Sequence, residues 1–422
     1  MSRPARFLEL VVFAGITFVL SQALLPLILS PGDTPMDGNP VYKMVFAVSY
    51  LAAAAILISH YRDTLFVTSR NIILVVLILF AVASFTWADA PALVLQRSIA
   101  VLGTTLFGLA MAVRLSTEEQ LRLVSWVLRI TAVLSLLAVI VAPRYGISPY
   151  PHLGDWRGIF NHKNALGGYM ALSVLVEWHV QTRSTGEKFF RVVAFLLSAT
   201  LLVFSNSITS LVTAMAALVF IEIYKAARHR LRIPAFAIVS VISLGIVSVV
   251  AMLVADSETI TSVLGRSSNL TGRTEIWRWV MVSVMERPIF GYGYNGFWGG
   301  ASAESLALDR RLGTPIMYAH NGYLDIFLTL GAIGLLLSLI FLGSGIKRAF
   351  ERSESHDSNM NSWPMAFLFF FMLHNVAECT ILFQGLEWAM CVATIASADA
   401  ALHAPLPQAL PRFALSATSE CT

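Results

Sequence analysis

The run Asn71-Ile72-Ile73-Leu74-Val75-Val76-Leu77-Ile78-Leu79-Phe80-Ala81-Val82-Ala83-Ser84-Phe85-Thr86-Trp87 carries no charged side chain over its whole length. Wound as a helix it rises about 1.5 Å per residue and covers most of a hydrocarbon core of roughly 30 Å. Apolar runs of this kind recur at 7–30, 41–59, 71–87, 93–113, 121–142, 164–181, 189–206, 208–226, 234–255, 320–345, 362–378 and 380–398. The composition agrees, with 57% hydrophobic and only 13% charged residues, where a soluble domain carries about 25% charged. The prediction is an all-α polytopic membrane protein with about twelve transmembrane helices. The first run, Phe7 to Ser30, is too long for a signal-peptide core and lacks a small-residue cleavage site, so it reads as a retained span.

Orientation follows from the short connections. Arg3 and Arg6, Arg62 and Arg70, Arg114 and Arg122, Arg183, Lys188 and Arg191, Lys225, Arg228, Arg230 and Arg232, and Lys347, Arg348 and Arg352 all fall on one side of the predicted layout. The opposite short loops are almost free of Lys and Arg, which makes the basic side, and both termini, cytoplasmic. Two long outer connections depart from this pattern. Segment 143–163 holds Arg144, Arg157 and Lys163, and segment 256–319 holds Arg266, Arg273, Arg278, Arg287, Arg310 and Arg311. Long translocated loops escape the charge bias, so their basicity needs another cause. An anionic substrate at the outer face is the simplest.

The chain therefore divides into spans one to nine over 1–255, an outer loop over 256–319, spans ten to twelve over 320–398, and a cytoplasmic tail over 399–422. Within the large loop, 274–286 reads as a short amphipathic helix ending at Arg287-Pro288, with Ile276, Val280 and Val284 on one face and Thr271 as a cap. Trp277 and Trp279 suit the headgroup boundary, placing this helix along the membrane surface. The turn Phe290-Gly291-Tyr292-Gly293-Tyr294-Asn295-Gly296-Phe297 lacks the Lys-Ser/Thr of a phosphate loop. Its aromatics could stack on sugar faces or sit at the interface. Cys379, Cys391 and Cys421 match no zinc, redox or disulfide pattern.

The polar side chains concentrate in two places. One is Asp155-Trp156-Arg157-Gly158-Ile159-Phe160-Asn161-His162-Lys163-Asn164; the other is Gly272-Arg273-Thr274 with Tyr318-Ala319-His320-Asn321 downstream. Arg157, Lys163 and Arg273 supply cations suited to a diphosphate, and His320 has the side chain whose ordinary pKa suits a general base at neutral pH. Each also has an ordinary reading: Arg157 and Lys163 as interfacial anchors, Arg273 as a loop charge, His320 as a polar helix start. His162, Asn164 and Asn321 are candidates for support. Arg97 lies inside an apolar run, where a charge costs about 2.5–3.5 kcal/mol, so it either holds substrate or braces the bundle. Arg129 and Glu177 are similar cases, and His374 and Glu378 form a loose pair at a span end. No Asp-x-Asp occurs, which argues against a Mg²⁺- or Mn²⁺-dependent nucleotide-sugar enzyme and leaves Asp33 and Asp37 as the acidic pair to watch. No cofactor is expected, and no nucleic acid.

Four segments in order resemble the O-antigen ligase / Wzy polymerase superfamily of bacterial polysaccharide assembly. They are Arg157-Gly158-Ile159-Phe160-Asn161-His162-Lys163-Asn164-Ala165-Leu166-Gly167, Gly272-Arg273-Thr274-Glu275-Ile276-Trp277, Pro288-Ile289-Phe290-Gly291-Tyr292-Gly293 and His320-Asn321-Gly322-Tyr323-Leu324. The His-Lys-Asn form of the first is similar to exopolysaccharide polymerases of the ExoQ kind. The resemblance implies a fold related to the GT-C glycosyltransferases and metal-independent transfer at the periplasmic face of a Gram-negative inner membrane. It maps the two diphosphate arginines to Arg157 and Arg273 and the essential histidine to His320. Lys163 departs from the ligase branch. The expected reaction is inverting transfer of glycan from a polyprenyl diphosphate to a sugar hydroxyl of another lipid-linked repeat, beside a chain-length co-polymerase and a flippase. The rivals are a ligase with a lipid A core acceptor and a transporter, which would keep its charges near the midplane.

Overall fold

The computed structural model describes residues 3–24, 39–149, 152–226, 269–313, 315–355 and 359–402. Regular structure among them is helical, apart from one isolated antiparallel bridge between Ile147 and Trp156. The helices are α1 (Arg3–Leu20), α2 (Pro40–Ser59), α3 (Tyr61–Arg70), α4 (Ile72–Ala83), α5 (Pro91–Arg114), α6 (Thr117–Val141), α7 (Lys163–His179), α8 (Thr185–Phe204), α9 (Ile208–Ala226), α10 (Asn269–Glu286), α11 (Ala303–Leu312), α12 (Gly322–Ser355), α13 (Asn359–His374) and α14 (Leu386–Leu402). Among the described residues five helices are long and apolar enough to cross a membrane: α2, α5, α6, α9 and α12. A sixth is added if α3 and the segment 72–86, bent by 90°, form one broken span. A membrane protein follows from this; the count of twelve spans does not.

The expected boundaries shift for local physical reasons. Span 71–87 is preceded by α3, a helix invisible to a search for apolar runs because most of its residues are polar or exposed. Span 380–398 begins late, at Leu386, because Asn375 captures the chain before it. The Asn375 side-chain oxygen accepts from the N–H groups of Thr380 at 2.8 Å and Ile381 at 2.9 Å, which holds this apolar stretch as a turn. The expected span 234–255 lies outside the described residues, as do Asp33, Asp37, Arg266 and Cys421.

The bundle is held by a continuous apolar core with polar contacts set into it. Trp388 on α14 donates to Thr105 on α5 at 2.9 Å, and Gln120 on α6 donates to Ser397 on α14 at 2.8 Å. Arg129 on α6 grips Glu177 on α7 through two bonds, 2.9 and 2.7 Å, while Ser125 donates to the same carboxylate at 2.7 Å. The charge within the apolar run is thus neutralised by a partner, as burial away from water demands.

Contacts sort the helix ends into two groups. At one end Arg6 bridges Glu9 and Glu119, Arg114 reaches Glu9, Arg183 reaches Glu118, Arg348 reaches Asn71, and Arg352 reaches Thr117. This gathers basic connections that the charge pattern assigned to one side. At the other end Leu24 donates to Ile159, Trp156 to Phe204, Arg287 to Asp89, and Gly322 to Asn375.

On that second end sits a cap with its own small core, built from α10, the glycine-rich turn, α11 and the start of α12. Ile276, Val280 and Val284 are all buried there with Tyr292, Phe297, Trp298 and Leu328. The buried aromatics of the turn are structural and offer no face to a sugar. Trp277 donates to the Ala319 carbonyl at 2.8 Å, and Trp279 lies 4.2 Å under the Arg311 guanidinium, so both pack within the cap. The turn docks on α12 where that helix breaks at Gly331 (φ 66°). A side chain there would come within 2.1 Å of the Ile289 carbonyl oxygen, so only glycine allows the approach. Arg97 joins the cap to the bundle by donating to the Asn295 carbonyl at 2.5 Å and that of Trp298 at 3.4 Å.

Candidate functional site

The first polar motif folds back on itself before entering α7. Gly158 (φ 58°) packs against Ser135, where a Cβ would lie 2.4 Å from that side chain, and so reverses the chain. The Arg157 and Gly158 N–H groups both donate to the Gly146 carbonyl at 2.9 Å. Arg157 also donates from Nε to the Tyr145 carbonyl at 2.8 Å. Its two terminal nitrogens have no hydrogen-bond partner among the described residues. His162 caps α7, accepting from the Asn164 N–H at 3.1 Å.

Lys163 is buried, and its ammonium donates to Asp155 at 2.7 Å. Asn206 donates to the other oxygen of the same carboxylate at 2.8 Å. The ion pair closes the 152–163 loop on itself and occupies the lysine charge, and the Asn206 bond ties the loop to the 205–208 turn.

Arg273 lies inside α10, which is already helical at Asn269, before the expected start near residue 274. Thr271 is therefore inside the helix and is not its cap. The Arg273 guanidinium donates to the Ala377 carbonyl at 2.8 Å and to Glu378 Oε1 at 3.4 Å. Glu378 Oε1 also accepts from Asn164 Nδ2 at 3.3 Å. One carboxylate thus joins the first motif, the second motif and the turn after α13. Burial pushes the Glu378 carboxyl above its ordinary range, against the pull of Arg273 and His374.

His320 precedes α12 in a left-handed conformation (φ 52°), a sparsely populated backbone state for a residue with a Cβ. It is held there from both sides. Asn321 caps α12, accepting from the N–H groups of Tyr323 and Leu324 at 3.1 Å. Asp325 accepts from the Ala319 N–H at 3.0 Å and from the Trp298 indole at 2.7 Å. The carboxylate five residues on therefore fixes the backbone before the histidine and does not pair with its ring. The imidazole lies 4.3 Å from the Tyr318 ring, and its Nδ1 is buried without a partner among the described residues.

The two motifs meet in space. Burial lowers His320 to about 3, with Arg273 and then His162 adding to the effect. His162 is lowered to about 4 by burial, then by the charges of His152, Lys163, Arg273 and Arg157. Both imidazoles are consequently neutral at physiological pH. Two arginines that repel nearby positive charge would welcome a negative one. Arg97 stands apart, engaged with the cap.

Glu378 and Asn375 are the members that reading the chain undervalued. The Glu378 side chain bonds Arg273 rather than His374, and His374 contacts Glu387 at 3.2 Å. Asn375 sits inside an apolar stretch with no motif around it, and only its four side-chain hydrogen bonds reveal its role. Among the described residues no group of three His, Cys, Asp or Glu side chains could hold a metal ion.

Comparison with known proteins places these features in a family context. Residues 193–339 match the O-antigen ligase family model, a stretch that runs from α8 through α10 to His320 and the first half of α12. The chain is 28% identical over 295 residues to the exopolysaccharide production protein ExoQ of Rhizobium meliloti, covering 67% of this chain and 66% of that protein. It is 36% identical over 73 residues to the ComP-specific O-oligosaccharyltransferase of Acinetobacter baylyi, covering 17% of this chain and 13% of that protein. The chain thus spans just under two thirds of the length of ExoQ and a small part of the second relative.

Proposed function

From the premise that this membrane protein resembles the O-antigen ligase family and proteins of the ExoQ kind, we propose that it is a polymerase of lipid-linked oligosaccharide repeats. A hydroxyl of one lipid-linked repeat attacks the anomeric carbon of a glycan held on a second polyprenyl diphosphate. The new glycosidic bond forms as the bond to the diphosphate breaks, and the in-line geometry inverts the anomeric centre. The second reading within the enzymes, transfer to a lipid A core, uses the same donor and the same site. The GT-C relationship and the twelve-span layout with the cap facing the periplasm belong to this proposal.

The observation that carries it is that three segments distant in sequence meet: Asn164 and Arg273 share Glu378, His162 lies in the field of Arg157 and Arg273, and His320 in that of Arg273 and His162. Arg157 and Arg273 stabilise the negative charge that builds on the departing diphosphate, where fixed cations are most effective. His320 accepts the proton from the attacking hydroxyl. Lys163 acts through Asp155 by fixing the loop that presents Arg157. Asn164 and Asn321 hold Glu378 and the start of α12, and the exposed aliphatic helix faces leave apolar surface for the polyprenyl tail. These residues supply charge and base, so the reaction is proposed to need no metal.

The test is to supply purified protein with its lipid-linked repeat in EDTA, with and without lipid A core. A ladder of lengthening glycan without lipid A core is expected. Product only on lipid A core selects the ligase, and activity that returns only with Mg²⁺ or Mn²⁺ rejects the metal-free chemistry.

A further inference from the structure

We propose that Glu378 is a displaceable counter-ion, holding Arg273 in the free protein and yielding that guanidinium to the anionic diphosphate of the donor. The inference rests on the reading of Arg157 and Arg273 as diphosphate ligands. The carboxylate is held loosely, since its bonds to Arg273 and Asn164, 3.4 and 3.3 Å, are both longer than good charge-assisted contacts of about 2.7–2.9 Å. Its backbone, by contrast, is fixed. The Glu378 N–H donates to the His374 carbonyl at 2.9 Å, and its own carbonyl accepts from Gly322 at 2.9 Å. The side chain can therefore swing while its attachment stays in place. Arg273 keeps its position meanwhile through the 2.8 Å bond to Ala377.

The surroundings say what becomes of the released carboxylate. Arg273 faces it from α10, His374 from α13, Glu387 from α14 and Tyr318 from the segment before α12, while α7 contributes the neutral Asn164. Burial already raises the Glu378 carboxyl above its ordinary range while Arg273 and His374 pull it down. Losing its cation and gaining an anionic neighbour both favour protonation further. Donor binding is therefore coupled to uptake of a proton at Glu378, and the site holds no unpaired buried carboxylate in either state. The same exchange guards Arg273 against weaker anions, which must displace Glu378 to bind.

The full chain in nanodiscs, titrated calorimetrically with undecaprenyl diphosphate near pH 7 in buffers of different ionisation enthalpy, reads both affinity and protons. Glu378→Gln keeps the hydrogen-bond acceptor and removes the charge. It is expected to bind on the order of tenfold tighter, the scale of coupling between competing ligands, and to take up less proton than wild type. Asn164→Ala, which removes one of the two bonds on the carboxylate, is expected to tighten binding by a smaller factor and keeps the test open if Glu378→Gln fails to fold. Unchanged or weaker binding in these variants, with proton uptake equal to wild type, overturns the counter-ion role; if Arg273→Lys still weakens binding, the diphosphate reading survives that result. No binding by wild type, or binding indifferent to both Arg157→Lys and Arg273→Lys, overturns both.

Discussion

In the proposed reaction His320 is the base, acting on a loaded site. Its ring is neutral and its Nδ1 is buried without a partner among the described residues. Replacement by Ala is expected to leave the fold intact and to slow chain extension by about 10²–10⁴-fold, the usual cost of a positioned base, so that single lipid-linked repeats accumulate. Arg157→Lys and Arg273→Lys are expected to be severe although charge is kept, because an ammonium cannot reproduce a two-pronged guanidinium–phosphate contact. Arg310→Ala and Arg311→Ala, at the end of α11, serve as mild controls. Arg311 loses only its contact with Trp279, about 0.5–1 kcal/mol. Normal polymer from His320→Ala would move the base role to His162. The pH profile gives a second check. Positive neighbours help hold His320 near 3 in the free protein, and a bound diphosphate cancels part of that field and raises the imidazole. The acid limb of kcat, which reports the loaded enzyme, is therefore expected at higher pH than that of kcat/KM, which reports the free enzyme. Coincident limbs would remove the donor from the control of His320.

At the scale of elements, the chain announced its apolar helices and concealed its joints. Ile276, Val280 and Val284 repeat every four residues and are buried together, because periodicity alone dictates which face of a helix is apolar. The polar α3 lacks the apolar run that marks a span. The stretch around Ile381 and Leu382 looks like part of a span, yet one asparagine side chain holds it as a turn. Glu378 joins Arg273 across 105 positions, a pairing that no local pattern encodes. Arg157, Arg273 and His320 stand out in the chain as proposed site residues because each lies in a polar motif; Glu378, the carboxylate that Arg273 meets, lies in no such motif. The Gly331 break is a joint that can be tested. Gly331→Ala places a Cβ against the Ile289 carbonyl at a positive φ and is expected to cost at least about 2 kcal/mol, given that such backbone strain alone is worth 1–3. Gly343→Ala in the same helix meets nothing within 4 Å and is expected to be neutral or stabilising by up to about 1 kcal/mol. Thermal unfolding in detergent compares them, and equal midpoints would show that the turn does not depend on the break.

For the whole molecule, the two groups of helix ends set the geometry of the proposed reaction. The Arg6, Arg114, Arg183 and Arg348 contacts gather at one end, and Arg157, Arg273 and His320 at the other. The charge bias predicts that the first end is cytoplasmic. Reporters inserted within 143–163 and 303–313 are expected to read as periplasmic, and those within 180–185 and 348–355 as cytoplasmic. A cytoplasmic reading for 303–313 would place the cap and the arginines on the wrong face for a donor presented outside. The most direct measurement of all is the fate of the lipid carrier. In proteoliposomes loaded with the lipid-linked repeat, free polyprenyl diphosphate and new glycosidic bonds are quantified together over time. The account predicts that they appear mole for mole in wild type and that both are suppressed in His320→Ala. Movement of lipid-linked sugar across the bilayer with no carrier released and no bond formed would contradict it.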